Sequence, residues 1–139
     1  EADERAALHE SLAAPLTFED RLDMGEEAAF LRPGLPRRVL TDLRRGRWVL
    51  QGQIDLHGLT RDEARAALAH FLHDALAPGK RCIRVIHGKG RQSDGIPVLK
   101  NLVDRMLRHR GDVLAFHSAP PAQGGTGAVV VLLAPSKRR

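Results

Sequence analysis

The sequence predicts an α/β fold, an α+β two-layer sandwich with the order β-α-β-α-β-β. Three observations predict it. Short apolar runs alternate with stretches whose apolar residues recur at helical spacing. Gly and Pro clusters separate these segments. The last two apolar runs follow each other with no helical stretch between them. Residues 48–56 read as the first strand, with Gly52 inside it as a bulge position. Thr60 and Glu63 form a capping box. Ala64, Leu68, Phe71, Leu72, Ala75 and Leu76 then line one helix face, and Pro78-Gly79 stops that helix. Residues 82–86 read as a buried strand, and 87–96 as a polar loop rich in glycine. Pro97 suits the first turn of a second helix, whose apolar face is Val98, Leu99, Leu102, Val103, Met106 and Leu107. Residues 113–116 form a third strand, 119–127 a Pro/Gly-rich loop and 128–133 a fourth strand. The expected sheet is mixed and four-stranded, with two main helices.

Each β-α-β unit implies parallel strands joined by a right-handed crossover. The last strand is expected antiparallel to the third, because a loop without a helix joins them. The carboxyl ends of the first three strands and the start of the fourth then share one sheet edge. Open α/β sheets bind ligands at that edge.

Charge divides the 139-residue chain. Residues 1–31 hold two Arg against nine Asp or Glu, a net of −7; residues 32–48 hold six Arg against one Asp, a net of +5; the remainder carries +7. The domain organisation is therefore an acidic arm with a basic connector (1–47), a basic domain (48–134) and a short basic tail (135–139). Residues 2–12 and 17–31 have helical character, and Pro33-Gly34-Leu35-Pro36 breaks any helix there. The arm reads either as a mobile extension, which suits residues 1–16, or as a docking helix for a partner. In the connector, Val39, Leu40 and Leu43 at helical spacing predict a short basic helix over 37–47.

Composition narrows the function. The formal charge of +5 and a pI near 10.3 point to a polyanionic partner. Aromatic residues are 4% with no tyrosine, which argues against a sheet that stacks bases on a row of rings. No apolar run approaches the roughly 20 residues of a bilayer span, so no membrane association is expected. A single cysteine, Cys82, excludes a disulfide framework and a Cys-rich zinc site. A reducing, cytoplasmic location is expected, and no signal peptide is visible.

Three polar clusters fall on the predicted binding edge. The first is Asp55-Leu56-His57-Gly58-Leu59-Thr60. Asp55 and His57 are two apart, so an extended chain points them to one side. A carboxylate beside an imidazole fixes its tautomer and raises its basicity. Alternatively, Asp55 bonds backbone amides and His57 is a packed loop residue. The second cluster is His87-Gly88-Lys89-Gly90-Arg91. Its glycines let the backbone approach a ligand or form an anion nest, and Lys89 and Arg91 can hold a phosphate. The other reading is a glycine turn with solvated cations. It is neither a P-loop nor a dinucleotide fingerprint. The third cluster runs from His117 and Ser118 to Gly124-Gly125-Thr126-Gly127, either a loop that closes over the edge or a plain hairpin connection. His57, His87, His117 and Asp55 are a conceivable metal-ligand set by composition, but no pair has helical i, i+4 spacing. Ser118 lacks the strand–Ser–helix elbow of hydrolases. Cys82 sits in an apolar strand, where an inert thiol is the default.

Taken in order and at this spacing, these motifs resemble the Smr (small MutS-related) domain. The carriers are Asp55-Leu56-His57-Gly58, His87-Gly88-Lys89-Gly90 and Ala115-Phe116-His117-Ser118-Ala119-Pro120 with the following Gly124-Gly125. The resemblance covers about residues 48–134, and the preceding Phe30-Leu31-Arg32-Pro33-Gly34 looks like the stand-alone bacterial members. It implies a sheet similar to the C-terminal domain of translation initiation factor three. It also implies endonuclease activity on RNA or DNA, with some members acting on ribosome-associated mRNA and others binding without cutting. The implied catalytic residues are Asp55, His57 and His87. The implied nucleic-acid-binding residues are Gly58, Arg61, Gly88, Lys89, Gly90, Arg91 and His117. The implied partners are RNA or DNA, with the ribosome approached through the N-terminal arm. RNA cleavage can use the substrate's own 2′-hydroxyl and needs a base, an acid and cations but no metal or other cofactor. DNA nicking would need an activated water, for which a divalent metal is the usual source.

Overall fold

The computed structural model describes residues 27–89 and 97–136. Among these, the elements run β1 (Ala29–Leu31), α1 (Arg38–Arg44), β2 (Gln53–Asp55), α2 (Arg61–Leu76), β3 (Cys82–Ile86), α3 (Val98–Arg108), β4 (Val113–Ser118), two 3-10 turns (Pro121–Gln123 and Gly125–Gly127) and β5 (Ala128–Leu133). The strands form one mixed sheet in the order β1-β4-β5-β3-β2. β2 and β3 are parallel, and β5 is antiparallel to both β3 and β4. The β-α-β-α-β-β order read from periodicity is present. The sheet has five strands rather than four, because residues 29–31 add an edge strand to β4.

That strand corrects the helix expected over 17–31 at its C-terminal end. The cause lies far away in the chain. Ser118 Oγ accepts the Ala28 N–H at 2.8 Å. Arg32 donates to the carbonyls of Val113 and Arg110 at 3.0 and 2.8 Å. The guanidinium groups of Arg32 and Arg108 lie 5.2 and 5.3 Å from the centre of the Phe30 ring, at cation–π distance. The remainder of the predicted arm helices, residues 1–26, lies outside the described residues.

The first strand is also shorter than expected, Gln53–Asp55 rather than 48–56. Trp48 and Leu50 turn away and pack with Val39, Leu40 and Leu43 of α1 over one face of the sheet, against Ala115, Val130 and Leu132. Helices α2 and α3 cover the other face, packing on Ile83, Val85, Phe116, Val129, Val131 and Leu133. Alternate residues of β5 thus serve opposite cores, which is why its sequence is apolar throughout. A register shift between Val113 and Ala115 in β4 is a bulge. It puts Val113 and Phe116, three residues apart, into the same core. Each large side chain withdrawn from water here stabilises the fold by roughly 1.5–3 kcal/mol.

Candidate active site

Asp55 stands opposite Ile86 in the parallel β2–β3 register. The two strands therefore release their following loops side by side at one sheet edge. The β2–α2 loop carries His57 and the β3–α3 loop carries His87. Both residues line a cleft of about 480 Å³, together with Gly58, Leu59, Thr60, Arg61, Ile86, Gly88, Lys89, Val98 and Leu99. The cleft lies between the first turn of α2 and the first turn of α3.

His57 is exposed, and its imidazole Nδ1 lies 2.6 Å from Asp55 Oδ1. The His57 backbone N–H donates to the same oxygen at 3.0 Å. These two bonds, the ring bond first, hold the Asp55 carboxyl below its ordinary pKa. An ionised carboxylate only accepts, so Nδ1 carries the proton and Nε2 is left to take or return one. The pairing read from Asp-x-His is present, with Asp55 bonding a backbone amide as well. Gly58 follows with φ of +83°, a conformation that costs any residue with a Cβ. Thr60 then caps α2 in a capping box with Glu63.

His87 is set differently. It is buried, and its Nδ1–H donates to the Gly88 carbonyl at 2.8 Å. Nε2 is buried with no hydrogen-bond partner. Burial pushes the imidazole below its ordinary pKa, and the charge of Lys100 acts in the same direction against the opposing Gly88 bond. His87 is therefore a neutral acceptor at pH 7. The backbone N–H groups of His87 and Gly88 both donate to the Gly127 carbonyl, at 3.0 and 2.9 Å. The Gly88 amide expected to cradle a phosphate is engaged with this carbonyl instead. Gly88 also has φ of +83°. Cationic character in the cleft comes from the exposed Lys89 and Arg61 and from the dipole at the amino end of α2.

Gly90 and Arg91 lie outside the described residues. His117 is apart from the cleft lining. It is buried in β4, and its Nδ1–H donates to the Ser118 carbonyl at 2.9 Å. Ser118 pins β1, and Cys82 is buried with its thiol pushed up to about 11. Among the described residues no three of His, Cys, Asp and Glu come together as a metal site, and no helix is long and apolar enough to cross a membrane. Sequence reasoning missed Lys100 and the apolar lining of Leu59, Val98 and Leu99. The available signal for Lys100 was a cation in a first turn that has no acidic residue, against the helix dipole.

Comparison with known proteins identifies the family. The family model for the Smr domain matches residues 54–134. The chain is 35% identical over 134 residues to the ribosome rescue factor SmrB of Pectobacterium carotovorum subsp. carotovorum, covering 94% of this chain and 72% of that protein. It is 34% identical over 116 residues to the SmrB of Photobacterium profundum, of which it spans 63%. Among solved structures it is similar to YdaL, a stand-alone small MutS-related protein from Escherichia coli. The TM-score is 0.69 at 33% identity, over 88% of this chain and 94% of that one. It is also similar to the Smr domain of Thermus thermophilus MutS2, with a TM-score of 0.55 at 37% identity, over 60% of this chain and 99% of that one. The sequence motifs all fall inside the matched region, and the chain belongs to the Smr domain family.

Proposed function

We propose that this chain is an endonuclease that cleaves RNA by metal-independent acid–base chemistry, acting on ribosome-associated mRNA. The observation that carries the reading is the Asp55–His57 pair at the mouth of a cleft with cationic side chains. In the proposed reaction the 2′-hydroxyl oxygen attacks the adjacent phosphorus while its proton passes to a base. The bond to the 5′-oxygen breaks, and an acid protonates that oxygen. The products carry a 2′,3′-cyclic phosphate and a 5′-hydroxyl. His57, oriented by Asp55, takes the 2′-hydroxyl proton at Nε2 as the base and, then acting as the acid, gives it to the leaving 5′-oxygen. Neutral His87 positions the substrate as a hydrogen-bond acceptor. Lys89 and Arg61 stabilise the charge that builds on the phosphorane oxygens. Relatives named ribosome rescue factors support the ribosomal context, and the acidic arm is the proposed contact with the ribosome.

The test uses labelled single-stranded RNA and matched DNA, free and on stalled ribosomes, with and without EDTA, beside His57→Ala. Product termini are read by mass spectrometry. The expected result is EDTA-resistant RNA cleavage with cyclic phosphate ends, lost in the variant while binding persists. Metal-dependent DNA nicking overturns the RNA assignment. Binding without cleavage even on ribosomes makes the domain a binding module.

A further inference from the structure

Phosphodiester chemistry needs a base, an acid and cations. The cleft has two features beyond these. Leu59, Val98 and Leu99 give it an aliphatic part opposite in character to Arg61 and Lys89. Leu59 is 36% exposed, one of two large hydrophobic residues left exposed among the described residues. His87, in the same lining, is only 3% exposed and keeps an Nε2 with no hydrogen-bond partner. Buried polar atoms are nearly always bonded, so this orphan is an acceptor that a bound donor completes when the cleft lining shifts to admit it. An aliphatic surface, a cation pair and an unfilled acceptor match a molecule with a flat apolar part, a phosphate and an N–H or O–H donor.

We propose that the cleft seats one unstacked nucleotide of a single strand. Its base packs on Leu59, Val98 and Leu99, its phosphate meets Arg61 and Lys89, and a base or sugar donor faces His87. The volume of about 480 Å³ suits one such unit. A base inside a duplex is stacked on both faces and does not reach an aliphatic recess without leaving the helix. The site therefore selects for unpaired nucleic acid through base packing rather than through aromatic stacking. This inference rests on the RNA reading above and adds the state in which the substrate must arrive.

The test separates the two. The cleavage position is first mapped on a single-stranded RNA. That RNA is then made with an abasic ribose on the 5′ side of the cut, which keeps the 2′-hydroxyl and the phosphate. Cleavage is expected to fall about tenfold or more, whereas an abasic site several nucleotides away has little effect. Leu59→Ala is expected to raise KM and to shrink the difference between intact and abasic RNA, with Leu59→Met restoring it. The fold is checked by an unchanged unfolding midpoint. In parallel, RNA carrying 2-aminopurine is bound to His57→Ala. Its fluorescence is expected to rise as the base leaves its stack, and to stay flat with Leu59→Ala added. Equal cleavage of intact and abasic RNA, equal cleavage of duplex and single strand, or binding with no fluorescence rise overturns the proposal. Absence of RNA cleavage with a fluorescence rise overturns the ribonuclease reading alone.

Discussion

The loops after β2 and β3 leave neighbouring strands at the same sheet edge, and each delivers a histidine to one cleft. Beyond that they are opposites. His57 is exposed and rests on a carboxylate. His87 is buried, rests on a carbonyl and has a depressed pKa. The first loop is held by its own residues, through Asp55 and the Thr60–Glu63 box, and by the Leu56 N–H donating to the Ile86 carbonyl of the neighbouring strand. The second is held by a distant residue, Gly127. In the proposed reaction two identical side chains thus receive different tasks from their surroundings, one as a mobile-proton group and one as a fixed acceptor. The difference also separates function from stability. Leu56 anchors the first loop in the core while the His57 ring stays outside it, whereas in the second loop the histidine itself is buried.

The widest break in this comparison comes from the exposed side. His57→Ala is expected to lower single-turnover RNA cleavage by about 10³-fold or more, with the unfolding free energy changed by less than about 0.5 kcal/mol. Asp55→Asn is expected to lower cleavage by about 10²-fold or more while keeping RNA affinity, since it disturbs the tautomer of His57. On the buried side, His87→Ala is expected to lose both properties. Urea unfolding should show a loss of about 2 kcal/mol, beside a large loss of cleavage. Unchanged stability there would show that the burial is incidental.

Acid sharpens the contrast further. The folded pKa of His87 is depressed, so the unfolded chain binds its proton first as pH falls. The His87 contribution is fully present above the unfolded value of about 6.5 and is lost as pH drops through the interval below it. Denaturation midpoints measured from pH 7.5 to 5 should decline, and the decline should be shallower in His87→Gln. The smallest effect expected is from the glycines. Gly58→Ala and Gly88→Ala each force a Cβ onto φ of +83°, at about 1 kcal/mol. Only the second should also weaken the Gly127 contacts, readable as faster amide exchange at His87.

The elements legible in the sequence are those determined by neighbouring residues. The face of α2 from Ala64 to Leu76, its Thr60 cap and the apolar run of β5 are local patterns, and they appear where expected. The Asp55–His57 pair was legible for the same reason, because two residues on one short segment define it. What stayed hidden depends on distant contacts. Residues 29–31 form a strand because Ser118, Val113 and Arg110 supply partners about 80 to 90 positions away. Trp48 leaves the strand because α1 offers it a core, with Arg81 stacked on its ring. His117 looked like a binding residue beside His57 and His87. Its place in β4, away from the cleft lining, is decided by the sheet order, which no local pattern encodes.

The same sheet order has a consequence for how the protein is made. β5 is the last strand along the chain, yet it lies at the centre of the sheet between β4 and β3. The carbonyl that holds the His87 loop belongs to Gly127, immediately before it. During synthesis, everything up to β4 is made before the strand that joins the two halves. A chain cut short ahead of Ala128 has the histidines but neither the central strand nor a fully anchored loop. Assembly of the cleft therefore depends on the last strand to be made, and a chain truncated before β5 is expected to lack a formed site.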